Sequence, residues 1–188
     1  VEYTNNLILD ILRRDFTINS ICMNKEGQIF DYLNGKADLK KKMIKVIGNT
    51  SEKLMEDPLR ILRAIRFAIV LNFKLDQSII NFINEHKELI KNLSYTRKKE
   101  ELDKILSSKN AIKGLKLLKK LKIDDILEIK YDKIVYVNDL LGMWAQIDFS
   151  RNYPFTKNNL KIIDNIRSII SNKVIDSKVL FNNDLYIV

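Results

Sequence analysis

Cysteine occurs once in this chain, at Cys22, and histidine once, at His86. A lone thiol cannot close an internal disulfide, and one imidazole without neighbouring cysteines offers none of the ligand spacings that hold zinc. Disulfide scaffolds and Cys/His metal modules are excluded, and a reducing cytoplasm is the expected compartment. His86, in FINEHKELIK, has no catalytic partner at a recognisable spacing and reads as a helix-surface residue. Long apolar runs are missing too: nothing approaches the roughly 18 residues of a membrane span, so no membrane partner is expected. Acidic charge is the other shortfall. With 24 Asp and Glu against 33 Lys and Arg, the net charge is +9 over 188 residues. That excess fits a polyanionic partner, because cations near phosphates release condensed counterions.

What is present changes character part-way along. FTINSICM (16–23) and QIFDYL (28–33) flank Asn24-Lys25-Glu26-Gly27 and predict a β-hairpin with Gly supplying a positive φ. ADLKKKMIKVIG predicts a short helix feeding a short strand that stops at Gly48. From Ser51 the apolar spacing is helical, with helices expected over 51–72, 76–91, 95–107, 109–121, 136–148 and 156–171. The fold class expected is mixed and mostly α, with the change of class near residue 50. Two strands make a sheet too small to stand alone, the chain opens at Val1 rather than Met, and it closes on the apolar LYIV. A piece of a larger protein is expected.

Arginine is scarce among the cations. Only eight of the 33 basic residues are arginine, yet three stand in EDPLRILRAIRF (56–67), at Arg60, Arg63 and Arg66, and two more are adjacent at Arg13 and Arg14. On a helical wheel the three cover an arc of about 120°, opposite Ile61, Leu62, Ile65 and Ile69, so they share a face expected to turn away from the core. A solvated face is served equally well by Lys or Glu. The rigid guanidinium fork instead suits phosphate, carboxylate and base edges. Asp57 fits an N-cap with Pro58 at the first helical position. It also stands three residues before Arg60, presenting an acceptor beside a donor. Cytosine and adenine each offer an amino donor next to a ring-nitrogen acceptor, whereas guanine and uracil present the reverse order. A fixed Asp-Arg pair would accept C and A without a nucleic-acid template.

RRDFTINS (13–20), FDYLNGKADL (30–39) with IKVIG (44–48), EDPLRILRAIRFA (56–68) and SYTRKKEELDKIL (94–106) resemble, in order and spacing, the motifs of bacterial CCA-adding tRNA nucleotidyltransferases and their poly(A) polymerase relatives. These are class II members of the DNA polymerase β superfamily, and the resemblance covers roughly residues 1–125. It implies the C-terminal remnant of a small β-sheet head over 1–50, a helical neck that reads the nucleotide base over 51–106, and a helical body and start of a tail that bind tRNA over 107–188. By the same resemblance Arg14 and Asp15 contact the nucleotide and help choose ribose, and Asp57 and Arg60 are the base-reading pair. Arg63 and Arg66 extend the site towards the phosphates, and Arg97 and Glu101 support the reading pair. Thr96 stands where the family usually has Glu, and Asn34-Gly35 where Gly-Gly is common.

The function implied is template-independent addition of C, C and A to tRNA 3′ ends from CTP and ATP, with Mg²⁺ as cofactor. A poly(A) polymerase or A-only enzyme shares these motifs. A non-catalytic basic helical RNA-binding module is the alternative of another class. The family's Gly-rich loop and paired metal-binding aspartates precede the RRD motif, and nothing before Arg13 fits them. Two-metal chemistry needs such carboxylates to hold ions about 3.5 to 4 Å apart, so this chain alone is expected to be inactive, with no catalytic and no metal-binding residue of its own.

Overall fold

Asn6 opens the first helix by accepting hydrogen bonds on its side chain from the backbone N–H of Ile8 and Leu9. The computed structural model describes residues 6–172, and α1 (Leu7–Leu12) is its first element. Strand β1 (Cys22–Met23) pairs antiparallel with β2 (Ile29–Phe30) across the turn that Gly27 closes at φ 81°. The hairpin is much shorter than its sequence predicts. Ser20 Oγ donates to the Thr17 carbonyl at 2.6 Å and curls Thr17–Asn19 into a 3₁₀ turn, a local bond that competes with strand pairing. Asp31 leaves the other strand to cap α2 (Gly35–Lys40), its carboxylate accepting from Gly35 N at 2.7 Å and Lys36 N at 2.9 Å. Asn34-Gly35 is therefore a helix entry, with Asn34 in the left-handed region at φ 58°. Gly35 is needed for a different reason: a Cβ there would lie 2.3 Å from the Thr17 carbonyl oxygen.

The helix expected over 51–72 is two helices. After β3 (Met43–Ile44), α3 (Thr50–Glu56) stops at Asp57, whose backbone is extended (φ −140°, ψ 98°), and α4 (Leu59–Leu71) begins beyond Pro58. A residue ahead of proline is driven out of the helical region, and the proline ring then presets the next first turn. Asp57 Oδ1 accepts from Leu59 N at 3.2 Å, which is the capping role its sequence position predicts.

Strand β4 (Lys74–Leu75) pairs in parallel with β3, a pairing two residues long that carries no period in sequence. Helices α5 (Gln77–His86), α6 (Tyr95–Leu106) and α7 (Ala111–Lys120) follow, the first running on into a 3₁₀ turn over Lys87–Asn92. Strand β5 (Ile129–Lys130) then pairs antiparallel with β6 (Asp148–Phe149), and between them α8 (Leu140–Ala145) is all that forms of the helix expected over 136–148. Asp139 caps it by accepting from Gly142 N, which starts the helix there rather than at Tyr136. The last described element is α9 (Lys157–Asn172). The class is mixed and mostly α, as the sequence predicts.

Helix α4 is the centre. It buries Leu59, Ile61, Leu62, Ala64, Ile65, Ala68 and Ile69, and packs on α3, α6 and α7. Full burial of a Leu or Ile side chain contributes about 1.5–3 kcal/mol, so this face outweighs any single polar contact on the helix. One apolar cluster runs from Phe16 to Ile163, and towards its C-terminal end Trp144 is enclosed by Phe149, Tyr153 and Phe155. Asp103 on α6 accepts from Trp144 Nε1 at 2.7 Å and ties that aromatic group to α6. No helix among the described residues is long and apolar enough to cross a membrane.

Gly35→Ala is expected to lower stability by about 2 kcal/mol or more, since its Cβ must displace backbone. Gly27→Ala meets nothing within 4 Å and is expected to cost only the left-handed strain, about 1–2 kcal/mol. Urea unfolding of the two variants ranks them, and the reverse order would refute the close-approach account.

Candidate nucleotide-recognition site

The arginine face of α4 lies opposite the buried Ile61, Leu62, Ile65 and Ile69, as the wheel expects, but it is covered by carboxylates rather than open to solvent. The side chains of Arg60 and Arg66 are only 12% and 14% exposed, and each arginine meets a carboxylate from another element. Asp15, itself 11% exposed, accepts from Arg60 Nε at 2.9 Å on Oδ1 and pairs with Arg63 Nη2 at 2.8 Å on Oδ2. Spacing of three residues puts Arg60 and Arg63 on one side of the helix, within reach of a single carboxylate. Arg60 Nη1 is used as well, donating to the Lys53 carbonyl at 2.8 Å and to Glu56 Oε2 at 2.7 Å. That leaves its Nη2 without a partner among the described residues.

Asp57 is braced from α6. Arg97 Nη2 donates to both its oxygens at 3.2 Å, so Oδ2 carries only that one bond and keeps a lone pair for a ligand. One turn further along α6, Glu101 takes Arg66 Nε on Oε2 and Lys104 Nζ on Oε1 at 2.9 Å. Asp57 and Arg60 thus share the start of α4, each fixed from outside, with one acceptor and one donor uncommitted.

Comparison with known proteins bears on this arrangement. The family described as Poly A polymerase head domain matches residues 1–45, and that described as Probable RNA and SrmB- binding site of polymerase A matches residues 72–129. The chain is 32% identical over 158 residues to the CCA-adding enzyme of Streptococcus mutans, covering 83% of this chain and 38% of that protein. It belongs to the family of CCA-adding enzymes and poly(A) polymerases. The CCA-adding enzyme of Limosilactobacillus reuteri is 39% identical over 116 residues, 62% of this chain and 29% of that protein. The chain therefore spans about 29 to 38% of the length of these two relatives. The fold is that of the Bacillus stearothermophilus CCA-adding enzyme in complex with CTP: TM-score 0.85 at 22% identity, covering 98% of this chain and 53% of that one.

Neither family match covers residues 46–71, where Asp57, Arg60, Arg63 and Arg66 lie, so in this member of the CCA-adding family their arrangement rests on geometry. Arg14 stands apart from them. It is exposed and occupied by Asp10, through Nη2 at 2.8 Å, and by the Asn19 carbonyl at 2.8 Å. Arg66 lies over the Phe67 ring, 4.0 Å from its centroid, and faces Glu101 rather than the group around Asp15. Glu56 is a contributor that the sequence reading left out, although its i,i+4 spacing to Arg60 is a legible signal.

Charge follows the same contacts. Burial works against the Arg60 cation, but the hydrogen bonds to Glu56 and Asp15 outweigh it and raise its pKa above the ordinary value. The hydrogen bond from Arg60, with the charges of Arg60 and Lys53, holds Glu56 below the usual carboxylate range. Asp10 is lowered by its hydrogen bonds from Arg14 and then Arg13.

Arg66→Met is expected to lower stability by about 3 kcal/mol, because Glu101, 6% exposed, would keep only the solvent-facing Lys104. Lys91→Ala breaks the exposed pair with Glu88 and is expected to cost less than about 1 kcal/mol. Matched denaturation curves test both, and similar small losses would mean that the α4–α6 pair is not a buried one in solution.

Proposed function

We propose that the protein to which this chain belongs adds C, C and A to tRNA 3′ ends from CTP and ATP, in the cytoplasm. The observation that carries the proposal is the braced pair at the start of α4. Asp57 is held by Arg97, and Arg60 by Asp15 and Glu56. Cytosine and adenine each place an amino donor against the free acceptor of Asp57 and a ring nitrogen against Arg60 Nη2. Uracil and guanine meet acceptor with acceptor and donor with donor. Fixing both side chains before the nucleotide arrives lowers the cost of ordering them on binding and keeps their edge in register.

On this reading residues 1–50 are the C-terminal part of the head, 51–106 the neck and 107–188 the body and start of the tail. Asp15 contributes to the choice of ribose. Exposed lysines of α7, Lys113, Lys116 and Lys120, follow the tRNA backbone. The 3′ hydroxyl of the RNA attacks the α-phosphate and pyrophosphate leaves. Asp10 and Asp15 do not fit a Mg²⁺ pair: Asp10 is taken by Arg13 and Arg14 and Asp15 by Arg60 and Arg63. No group of three His, Cys, Asp or Glu side chains that could hold a metal occurs among the described residues. We assign Mg²⁺ to residues outside this chain, and the chain by itself is expected to incorporate no nucleotide.

In the full-length enzyme, Asp57→Ala or Arg60→Ala is expected to let UTP and GTP compete, with preference for C and A falling about ten- to a hundredfold, the worth of one charged hydrogen bond. Incorporation of each labelled nucleotide into tRNA lacking its CCA end measures this. Full retention of the preference in both variants would overturn the base-reading assignment. A poly(A) polymerase shares the same edge but takes ATP alone, so CTP incorporation by the wild type separates the two activities.

A further inference from the structure

Arg63 is expected from sequence to face the triphosphate, and its surroundings point elsewhere. Its Nη2 is spent on Asp15 Oδ2 at 2.8 Å, and its Nε is buried with no hydrogen-bond partner, although the side chain as a whole is 38% exposed. The Nη2 contact commits one edge of the guanidinium to Asp15. The arginines around Arg63 are likewise occupied by carboxylates. Arg60 and Arg63 are matched by Asp15 and Glu56, Arg66 is matched by Glu101, and Arg97 by Asp57.

Asp15 itself is rigidly mounted. Its carbonyl accepts from Ile47 N at 3.1 Å, and the neighbouring Phe16 is fully buried, bridges to Val46 and packs edge-on against Phe67 at 5.5 Å. The backbone is thus pinned on one side, and the carboxylate is pinned by two guanidinium groups on the other. Each oxygen takes one arginine and retains a second lone pair. Asp15 can accept a further hydrogen bond, such as one from a sugar hydroxyl, without releasing Arg60.

We propose that Arg63 is a positioning residue that holds Asp15 square to Arg60, so that choice of sugar and choice of base are coupled through one carboxylate. This rests on the roles given above to Asp15, Asp57 and Arg60. The expected signature is a correlated change: loosening Asp15 from the Arg63 side degrades both selectivities at once, because the same carboxylate orients Arg60 and faces the ribose.

The test uses the full-length enzyme with Arg63→Met, Arg63→Lys and, as a control, Arg60→Ala. The kcat and KM are measured for CTP, UTP, ATP, GTP, dCTP and dATP, with thermal unfolding of each variant. Arg63→Met is expected to reduce the CTP-over-UTP and the CTP-over-dCTP preferences together, each by about fivefold or more, as coupled members of one network do. Arg63→Lys, which retains a charged donor, is expected to recover part of both and stands in if the Met variant does not fold. A KM raised by one common factor for all six nucleotides, with both ratios intact, would make Arg63 a phosphate ligand and overturn the proposal. So would a change in only one ratio, or no change at all. If Arg60→Ala also keeps wild-type base choice, the base-reading assignment has failed. If Arg60→Ala relaxes base choice while Arg63→Met leaves both ratios intact, only the coupling has failed.

Discussion

A carboxylate shared between two arginines joins the first fifty residues to the central helix, and the rest of the candidate site depends on it. Asp15 and Arg60 are nearly enclosed, at 11% and 12% exposure. Neither charge is well solvated, and burying either one unpaired would be costly, so the pair and its further hydrogen bonds hold together. That dependence fixes geometry. A lysine in place of Arg60 could satisfy Asp15 or Glu56 as a point charge, but it could not hold Asp15, Glu56 and the Lys53 carbonyl from one plane and still have a nitrogen left over. The use of arginine rather than lysine at Arg60 follows from the fork.

Helix α6 brings a second set of constraints to the same place. Arg97 reaches Asp57, Glu101 reaches Arg66, and Asp103 reaches the Trp144 indole, all from one twelve-residue helix. Lys99 closes the far side by pairing with Asp103 at 2.7 Å and lying 4.5 Å from the centroid of the Phe155 ring. One face of α6 therefore meets the start of α4 while the other is anchored in the aromatic cluster around Trp144. Helix α6 thus contacts both Asp57 and Trp144.

Much of this was legible in the residues. The Asp57-Pro58 break, the capping by Asp57 and Ser94, the helical character beyond residue 50 and the apolar face of α4 follow from short-range rules. The proposed site residues stand on α4 or just before it, on α6 and on the Arg14-Asp15 segment, with Arg14 itself paired to Asp10. Where the reading failed, local side-chain bonds or long-range pairing had overridden a period. The Thr17–Asn19 turn and the Asp31 cap shortened the hairpin, and the β3–β4 ladder is two residues long.

The sequence by itself determined that α4 would carry three arginines on one face, because the three-residue spacing and the 3.6-residue turn leave no other arrangement. Only the tertiary structure decided that this face would be covered by carboxylates instead of water. Asp15 lies 45 residues from Arg60, Glu101 lies 35 from Arg66, and Arg97 lies 40 from Asp57. Pairs so far apart have no spacing signature, and their meeting follows from how α4 packs against α6 and against the segment before β1. The same packing turned Arg66 towards Glu101 and left Arg14 with Asp10, a division among chemically identical side chains that no one-dimensional pattern distinguishes.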